Sequence, residues 1–308
     1  MAAPGDGTMT WRALWMETAD RLGSSVEARW VCQEVAGLSG PEWAASLDEA
    51  ATVRAVARLD TLVERRRGGE PLAYVLGSWA FRRLELAVDP RVLIPRPETE
   101  DVVEVALGLA RSLLAAGPLA AGTLAAGPLV AVDPLVAVDL GTGSGAIALS
   151  LATELPPGSL TVWATDASPD ALDVARANVA GAGRAGRFVQ VAQGSWFDAL
   201  PAELAGRIGL LVSNPPYVGL DDADLAPEVR SWEPHDALFA GADGLDAVRE
   251  LVAGAGRWLA PGGVLVVEIG HRQGAAAAGL AIAAGLVEVE VRPDTAGRDR
   301  VLVARHPA

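Results

Sequence analysis

The sequence predicts an α/β protein in which a mostly parallel, seven-stranded sheet follows a small helical N-terminal domain. From residue 135 onward, short apolar segments alternate with segments of helical spacing, which is typical of a sheet covered by helices on both faces. The last two apolar segments, 286–294 and 298–306, are joined by "TAGRD", which is too short for a crossover helix, so we expect them to pair antiparallel. Residues 10–67 instead carry apolar residues at helical spacing between glycine stops.

The N-terminal helices are predicted over residues 8–23, 24–40 and 46–69. The first two end at glycines, which readily adopt the left-handed conformation of a helix C-terminus. The third is predicted to begin at Ser46, because Ser46 and Glu49 have the spacing of a capping box. We interpret the three arginines near its end as a solvated C-terminus that complements the helix dipole.

Residues 70–98 alternate apolar and polar residues between turn signals, which predicts a short hairpin and a linker. A helix is predicted from about Thr99, with Thr99 as its cap, whereas Glu98 either lines a substrate cleft or caps the same helix. Residues 115–134 contain "AAGPL" twice, so we expect a flexible low-complexity insert there. The domain boundaries that follow are 1–69 for the helical domain, 70–98 for the hairpin and linker, and 99–308 for the α/β domain.

Composition limits the classes of function. The chain has 308 residues, and its 25 basic and 39 acidic residues give a formal charge of −14. Every basic residue is an arginine, and a chain with this excess of acids is a poor candidate for tracking phosphate backbones, because that binding needs clustered positive charge. We therefore expect no direct binding to nucleic acid.

The single cysteine, Cys32, cannot form an intramolecular disulfide, and we expect it to be a small buried residue in a helix. No cluster of Cys and His has metal-ligand spacing, so no metal site is predicted. Residues 112–132 are uncharged but are repeatedly interrupted by Gly and Pro, which argues against a membrane span. The N-terminus also lacks the pattern of a signal peptide, so we expect a cytoplasmic protein without membrane contact.

The α/β domain should begin with five parallel strands. We place them at 135–140, 160–166, 187–193, 208–214 and 262–270. With the two strands that follow, seven strands with the last one reversed are the plan of class I S-adenosylmethionine-dependent methyltransferases, whose sheet is Rossmann-like.

A glycine-rich turn follows the first of these strands, in "VDLGTGSGAIALSLA". Gly141, Gly143 and Gly145 permit a sharp turn and a close approach of a ligand to the backbone at a helix N-terminus. The spacing also satisfies a dinucleotide-binding fingerprint, and Asp166 could bond ribose hydroxyls in either case. Asp139, two residues before the turn, favours a sulfonium cofactor, because that cofactor carries an ammonium group that an acid can anchor.

The fourth strand ends in "SNPPYV", where two prolines make the turn rigid. A primary amide offers two N–H donors, which the Asn214 side-chain oxygen and the Pro215 carbonyl could accept. Those bonds should strengthen as the amide nitrogen gains positive charge in the transition state of methyl transfer. Pro216 would stiffen this site, and Tyr217 could pack on the flat amide.

The chain resembles the HemK-type release factor glutamine methyltransferases over roughly residues 70–304. The resemblance lies in "GEPLAYVLG", "VLIPRPETE", "VDLGTGSGAIALSLA", "ATDASPDALDVARANV", "SNPPYV", "PGGVLVVEIG" and "AGRDRVL". "NPPY" alone also occurs in methyltransferases that act on nucleic-acid bases, but its combination with "PRPETE" and "DLGTGSGAIAL" is much more specific. The family uses S-adenosyl-L-methionine to methylate the side-chain amide nitrogen of the glutamine in the Gly-Gly-Gln motif of class 1 peptide chain release factors.

The resemblance implies a set of site residues. The turn that wraps the methionine part of the cofactor would consist of Gly141, Thr142, Gly143, Ser144 and Gly145. Asp166 would bind the ribose hydroxyls, Trp196 would lie against the adenine, and Asn214 would contact the cofactor as well. Asn214 and Pro215 would be catalytic, and together with Pro216 and Tyr217 they would hold the substrate amide. Residues 1–69 would be the factor-binding domain.

Other targets for the same chemistry stay open at this point. They are the glutamine of a ribosomal protein and the exocyclic amine of a nucleic-acid base, of which the second is opposed by the charge of −14. A catalytically silent cofactor-binding or scaffold protein is opposed by the intact "NPPY" and the complete glycine-rich turn.

Overall fold

A computed structural model of the chain describes residues 9–117, 134–222 and 225–308. Most of the insert predicted at 115–134 therefore lies outside the described residues. The helices, in chain order, are α1 (Trp11–Leu22), α2 (Ser25–Ala36), α3 (Gly40–Ser46), α4 (Val53–Arg67), α5 (Leu72–Leu76), α6 (Pro97–Ala116), α7 (Ala146–Glu154), α8 (Pro169–Gly181), α9 (Pro227–Trp232), α10 (Asp246–Trp258) and α11 (Gly274–Ala283). The strands are β1 (Ser78–Phe81), β2 (Leu84–Ala87), β3 (Leu135–Leu140), β4 (Leu160–Asp166), β5 (Val189–Gln193), β6 (Ile208–Ser213), β7 (Leu259–Glu268), β8 (Val287–Pro293) and β9 (Asp299–Arg305).

The chain divides into two compact units. The first comprises Met1–Ser78 together with Pro227–Trp232, and the second comprises Trp79–Ala226 together with Glu233–Ala308. The helical unit therefore includes the short helix α5, and it takes in α9 from a distant part of the chain. No helix of the described ranges is long and apolar enough to cross a membrane.

The helical unit is built from short helices with conventional caps. The hydroxyl groups of Thr10 and Ser24 accept hydrogen bonds from backbone N–H groups in the first turns of α1 and α2. Both helices end at a glycine with φ of 67°, as the sequence predicts. Cys32 is fully buried in α2, which confirms the expectation for this residue, and burial raises the pKa of its thiol to about 11.

The predicted start of the third long helix at Ser46 is wrong. Ser46 is the last residue of α3, and its hydroxyl donates to the carbonyl of Trp43. Helix α4 begins only at Val53, with Thr52 as its cap. The local capping-box pattern is overridden by packing, because α3 places the Trp43 ring in the core, 5.8 Å from the ring of Trp11 in an edge-to-face contact.

The α/β unit contains the predicted seven-stranded sheet. Its strand order is β5-β4-β3-β6-β7-β9-β8, with parallel pairing from β5 to β7. Strand β9 runs antiparallel to both β7 and β8, so the prediction of a reversed last strand is confirmed. The central strands are apolar because both faces of the sheet are covered, and all six residues of β6 are buried.

Helix α6 begins two residues earlier than predicted, at Pro97, and its N-cap residue is Arg96. Pro97 suits this position because the first helical residue needs no N–H donor. Thr99 is therefore inside the first turn, and the prediction that it caps the helix is wrong. Within the region predicted as hairpin and linker, β1 and β2 form a two-stranded sheet.

The chain order of the strands reverses between β3 and β6, which lie side by side at the centre of the sheet. In open α/β sheets, ligands bind outside the carboxyl ends of the strands at this switch point. The glycine-rich turn follows β3 and the "NPPY" segment follows β6, so the topology brings both to the same edge of the sheet.

Candidate active site

A cavity of about 540 Å³ lies at this edge of the sheet, within the α/β unit. Its size falls in the range of sites that hold small molecules and cofactors. The predicted site residues that line it are Gly141, Thr142, Gly143, Ser144, Asp166, Trp196, Asn214 and Pro216. Gly145, Pro215 and Tyr217 are not among its lining residues in the described part of the chain.

The glycine-rich turn folds back directly after β3. The backbone N–H groups of Gly141 and Thr142 both donate to the carbonyl of Thr165, at 2.9 and 2.8 Å. Gly141, Gly143 and Gly145 have φ values of 73°, 53° and 86°, which side chains disfavour. A Cβ atom on Gly141 would meet the Trp196 ring at 3.7 Å, an ordinary contact, so it is the positive φ and not a lack of space that favours glycine there.

Asp139 holds the glycine-rich turn and the start of α7 through two hydrogen bonds. Its Oδ2 accepts hydrogen bonds from the Thr142 hydroxyl at 2.6 Å and from the Ala148 N–H at 3.1 Å. Its Oδ1 is buried and has no hydrogen-bond partner among the described residues. Burial raises the pKa of Asp139 to about 7, because the charged form is desolvated.

Asp166 ends β4 and lines the cavity. Its Oδ2 accepts from the N–H of Gly143 and its Oδ1 accepts from the N–H of Ser168, each at 2.9 Å. A carboxylate has about four lone-pair positions, so both oxygens keep acceptor capacity for a ligand. Burial raises the pKa of Asp166, and the two backbone bonds oppose that shift.

Trp196 is placed by a tight turn after β5. A Cβ atom on Gly194 would lie 2.7 Å from the backbone of Ala199, so only glycine permits this close approach. Trp196 itself has a φ of 44°, which is unusual for an aromatic residue, and its ring is only partly buried. The strained backbone thus directs a large aromatic side chain to the cavity wall.

The "NPPY" segment begins directly after a hydrogen bond that joins the ends of β6 and β3. The Ser213 hydroxyl donates to the carbonyl of Leu140 at 2.6 Å. Asn214 follows, and its Nδ2 donates to the Thr99 hydroxyl oxygen at 3.0 Å. Its Oδ1 is buried and has no hydrogen-bond partner among the described residues, which leaves an acceptor for a ligand. Pro215 is buried, and the Tyr217 hydroxyl donates to Glu268 at 3.1 Å.

Sequence reasoning missed the roles of Thr99 and Glu268. Glu268 ends β7, is fully buried, and accepts a hydrogen bond from the Thr99 hydroxyl at 2.7 Å. Burial raises the pKa of Glu268 to about 7, and the positive charge of Arg300 opposes that shift. A signal was present, since "VLVVE" is an apolar strand that ends in an acid, as does the strand that carries Asp166, while Asp139 is the next-to-last residue of its strand.

Glu233 follows α9 and is bound to the segment that precedes α6. Glu233 is buried, forms an ion pair with Arg96, and accepts a hydrogen bond from the Ile94 N–H at 3.2 Å. These contacts hold Glu233 in the protein interior beside the segment that precedes α6. Glu98 forms an ion pair with Arg298 at 3.6 Å. In the described parts of the chain, no group of His, Cys, Asp and Glu could hold a metal ion.

We predict that Asp139→Asn reduces the pH dependence of stability. The pKa of Asp139 is raised from 3.8 to about 7 in the folded chain, so this group stabilises the fold below its unfolded pKa. That stabilisation is lost as the pH rises through about 7, and an asparagine does not titrate. We therefore expect the unfolding free energy of the variant, minus that of wild type, to be larger at about pH 8 than at about pH 5. Urea titrations at the two pH values measure this difference. An equal difference at both pH values would contradict the raised pKa of Asp139.

The fold and this site define a class I methyltransferase. Residues 129–227 match the family model described as the methyltransferase small domain, and residues 16–77 match that of the PrmC N-terminal domain. The catalytic domain of hMettl16, solved with MAT2A 3′UTR hairpin 6, has a TM-score of 0.52 and 13% identity over 84% of each chain. That likeness concerns the fold alone.

The chain belongs to the release factor glutamine methyltransferase family. It is 43% identical over 256 residues to the release factor glutamine methyltransferase of Cereibacter sphaeroides, covering 82% of this chain and 81% of that one. It is 40% identical over 286 residues to the protein of the same name from Burkholderia pseudomallei, covering 92% of each chain. The protein of that name from Moorella thermoacetica is 42% identical over 287 residues, covering 92% of this chain and 90% of its own.

Proposed function

We propose that this protein transfers a methyl group from S-adenosyl-L-methionine to the side-chain amide nitrogen of the glutamine in the Gly-Gly-Gln motif of class 1 peptide chain release factors. The observation that carries the proposal is the buried Oδ1 of Asn214, which has no hydrogen-bond partner in the described part of the chain and belongs to a residue that lines the cavity beside the glycine-rich turn. A buried acceptor without a partner costs free energy, which a ligand N–H can recover.

The cavity fits the proposed cofactor. Its glycine-rich turn exposes backbone to the ligand, and Asp166 offers acceptors for the two ribose hydroxyls. Trp196 supplies a partly exposed ring against which the adenine can stack. When bound, the cofactor supplies a methyl group activated by its sulfonium. Gly141, Thr142, Gly143, Ser144 and Gly145 would surround its methionine part.

The acceptor amide is held, not deprotonated, before transfer: as the methyl group passes from sulfur to nitrogen, the sulfur–methyl bond breaks, and the nitrogen then releases one N–H proton to solvent. Its nitrogen is a weak nucleophile because the lone pair is delocalised, so positioning in line with the methyl group is the main contribution. Asn214 Oδ1 and the Pro215 carbonyl accept its two N–H donors, and these bonds strengthen as positive charge develops on nitrogen. Pro216 keeps the turn rigid, and the Tyr217 hydroxyl is bound to Glu268 at the end of β7.

Different parts of the chain would have different roles. We propose that the helical region, residues 1–69, binds the release factor, that 70–98 connects it, and that 99–308 carries out methyl transfer. The net charge of −14 favours a protein target over direct binding of nucleic acid. Because release factors act in translation, the reaction belongs in the cytoplasm.

A methyl-transfer assay tests this function. Purified enzyme and tritiated S-adenosyl-L-methionine are incubated with a class 1 release factor, with the same factor carrying Gln→Ala in the Gly-Gly-Gln motif, with ribosomal protein, and with nucleic acid. We expect label in the intact factor only. Label that survives the Gln→Ala change, or that enters only ribosomal protein or nucleic acid, would reject the proposal.

A further inference from the structure

Four side chains form one hydrogen-bond chain at the cavity, and two of them, Thr99 and Asn214, line it. The hydroxyls of Tyr217 and Thr99 donate to the two carboxylate oxygens of Glu268, at 3.1 and 2.7 Å. Asn214 Nδ2 in turn donates to Thr99 Oγ1 at 3.0 Å. Thr99 comes from α6, Glu268 from the end of β7, and the other two from the segment after β6, so the chain joins the "PRPETE" and "NPPY" motifs.

The direction of the donors determines the orientation of the Asn214 amide. Glu268 is fully buried, and in its ionised form it can only accept, so the Thr99 proton is then committed to the carboxylate. The Thr99 oxygen therefore presents only lone pairs to Asn214. A reversed amide would place two acceptor oxygens about 3.0 Å apart, which is repulsive.

This orientation determines which atom of the Asn214 amide is available to a ligand. With Nδ2 bound to Thr99, Oδ1 is the atom of Asn214 that stays without a partner among the described residues. An oxygen in this place accepts an N–H from a ligand, whereas an NH2 group would present donors to the donors of a substrate amide. The orientation of one amide thus decides which chemical group the site accepts.

We propose that Thr99 and Glu268 are positioning residues that hold the Asn214 amide in its accepting orientation and thereby select a substrate group with N–H donors. The inference rests on the proposed function, because it concerns how the same site recognises an amide. Glu268 acts at a distance of two hydrogen bonds from Asn214, and Thr99 is the link between them.

The isosteric change Thr99→Val tests the link. It removes the hydroxyl that holds Nδ2, so we expect kcat for release factor methylation to fall about 10- to 100-fold, by analogy with the loss of a buried hydrogen bond. Thr99→Ser keeps the hydroxyl and should retain kcat within about threefold. KM for the release factor and the dissociation constant of the cofactor, measured by calorimetry, should change little in both variants.

A double-mutant cycle separates positioning from a general structural effect. In an Asn214→Ala background the amide is absent, so Thr99→Val should change the residual kcat by less than about twofold. Ser150→Ala is the matched control, since Ser150 is fully buried in α7, is not among the cavity-lining residues, and donates its hydroxyl to the Ala146 carbonyl at 2.7 Å. It should leave kcat near the wild-type value in both backgrounds.

The two possible failures are distinguishable. If the wild-type enzyme does not methylate the release factor glutamine, the proposed function fails. If the wild type is active but Thr99→Val retains its kcat, or lowers kcat equally in both backgrounds, the function stands and the positioning role is overturned.

Discussion

Replacing Asn214 by alanine should lower kcat for glutamine methylation by about 100- to 1,000-fold, the range observed when one preorganised group that stabilises a developing charge is removed. Among the described residues, Asn214 Oδ1 is a buried acceptor without a partner, and it lies in a rigid turn between a buried strand and two prolines. Because this bond strengthens as charge develops, the loss should be in kcat rather than in KM. Single-turnover methylation of a release factor measures it.

The affinity of Asn214→Ala for the cofactor should stay within a few fold of wild type, since the glycine-rich turn and Asp166 are unchanged. Gln190→Ala is a matched control, because it removes an exposed amide from the edge strand β5 of the same sheet. A rate near that of wild type in Asn214→Ala would contradict the mechanism.

Replacing Asp166 by alanine should weaken cofactor binding by about 100-fold, because hydrogen bonds to a charged group are each worth about 1.5–3 kcal/mol. The carboxylate has two tasks: it holds the N–H groups of Gly143 and Ser168, and it keeps acceptor capacity for the ligand. Its removal therefore loses the ribose contacts and also loosens the turn. Isothermal titration with S-adenosyl-L-methionine measures the change.

Asp170→Ala is the control for this effect. It removes the same charge from an exposed position in the first turn of α8, outside the cavity lining. Its affinity for the cofactor should be close to that of wild type. If both variants bind equally well, the assignment of Asp166 to the ribose is wrong.

Local features of the site could be predicted from the sequence because the chain encodes them at short range. Positive φ values at Gly141, Gly143 and Gly145 follow from the glycine spacing, and the rigid exit from β6 follows from two prolines. The seven-stranded topology was predictable as well, since alternating apolar segments and one short connection leave few arrangements.

The contacts between motifs could not be predicted in this way. Thr99 and Asn214 are 115 positions apart, and only the order of the strands brings α6 beside the end of β6. From local spacing, Thr99 was expected to cap its helix, whereas the folded chain uses its hydroxyl to link Glu268 to Asn214. The position of Ser46 at the end of α3 could not be predicted from local spacing either, because burial of the Trp43 ring determines where α3 ends.

The central claim is that the buried acceptor of Asn214 directs the methyl group to a glutamine amide. The most direct measurement is peptide mapping by tandem mass spectrometry of a class 1 release factor after reaction with the purified enzyme. We predict a single added methyl group on the side chain of the glutamine in the Gly-Gly-Gln motif, formed by wild type and nearly absent with Asn214→Ala. A methyl group on any other residue, or equal modification by both enzymes, would contradict this account.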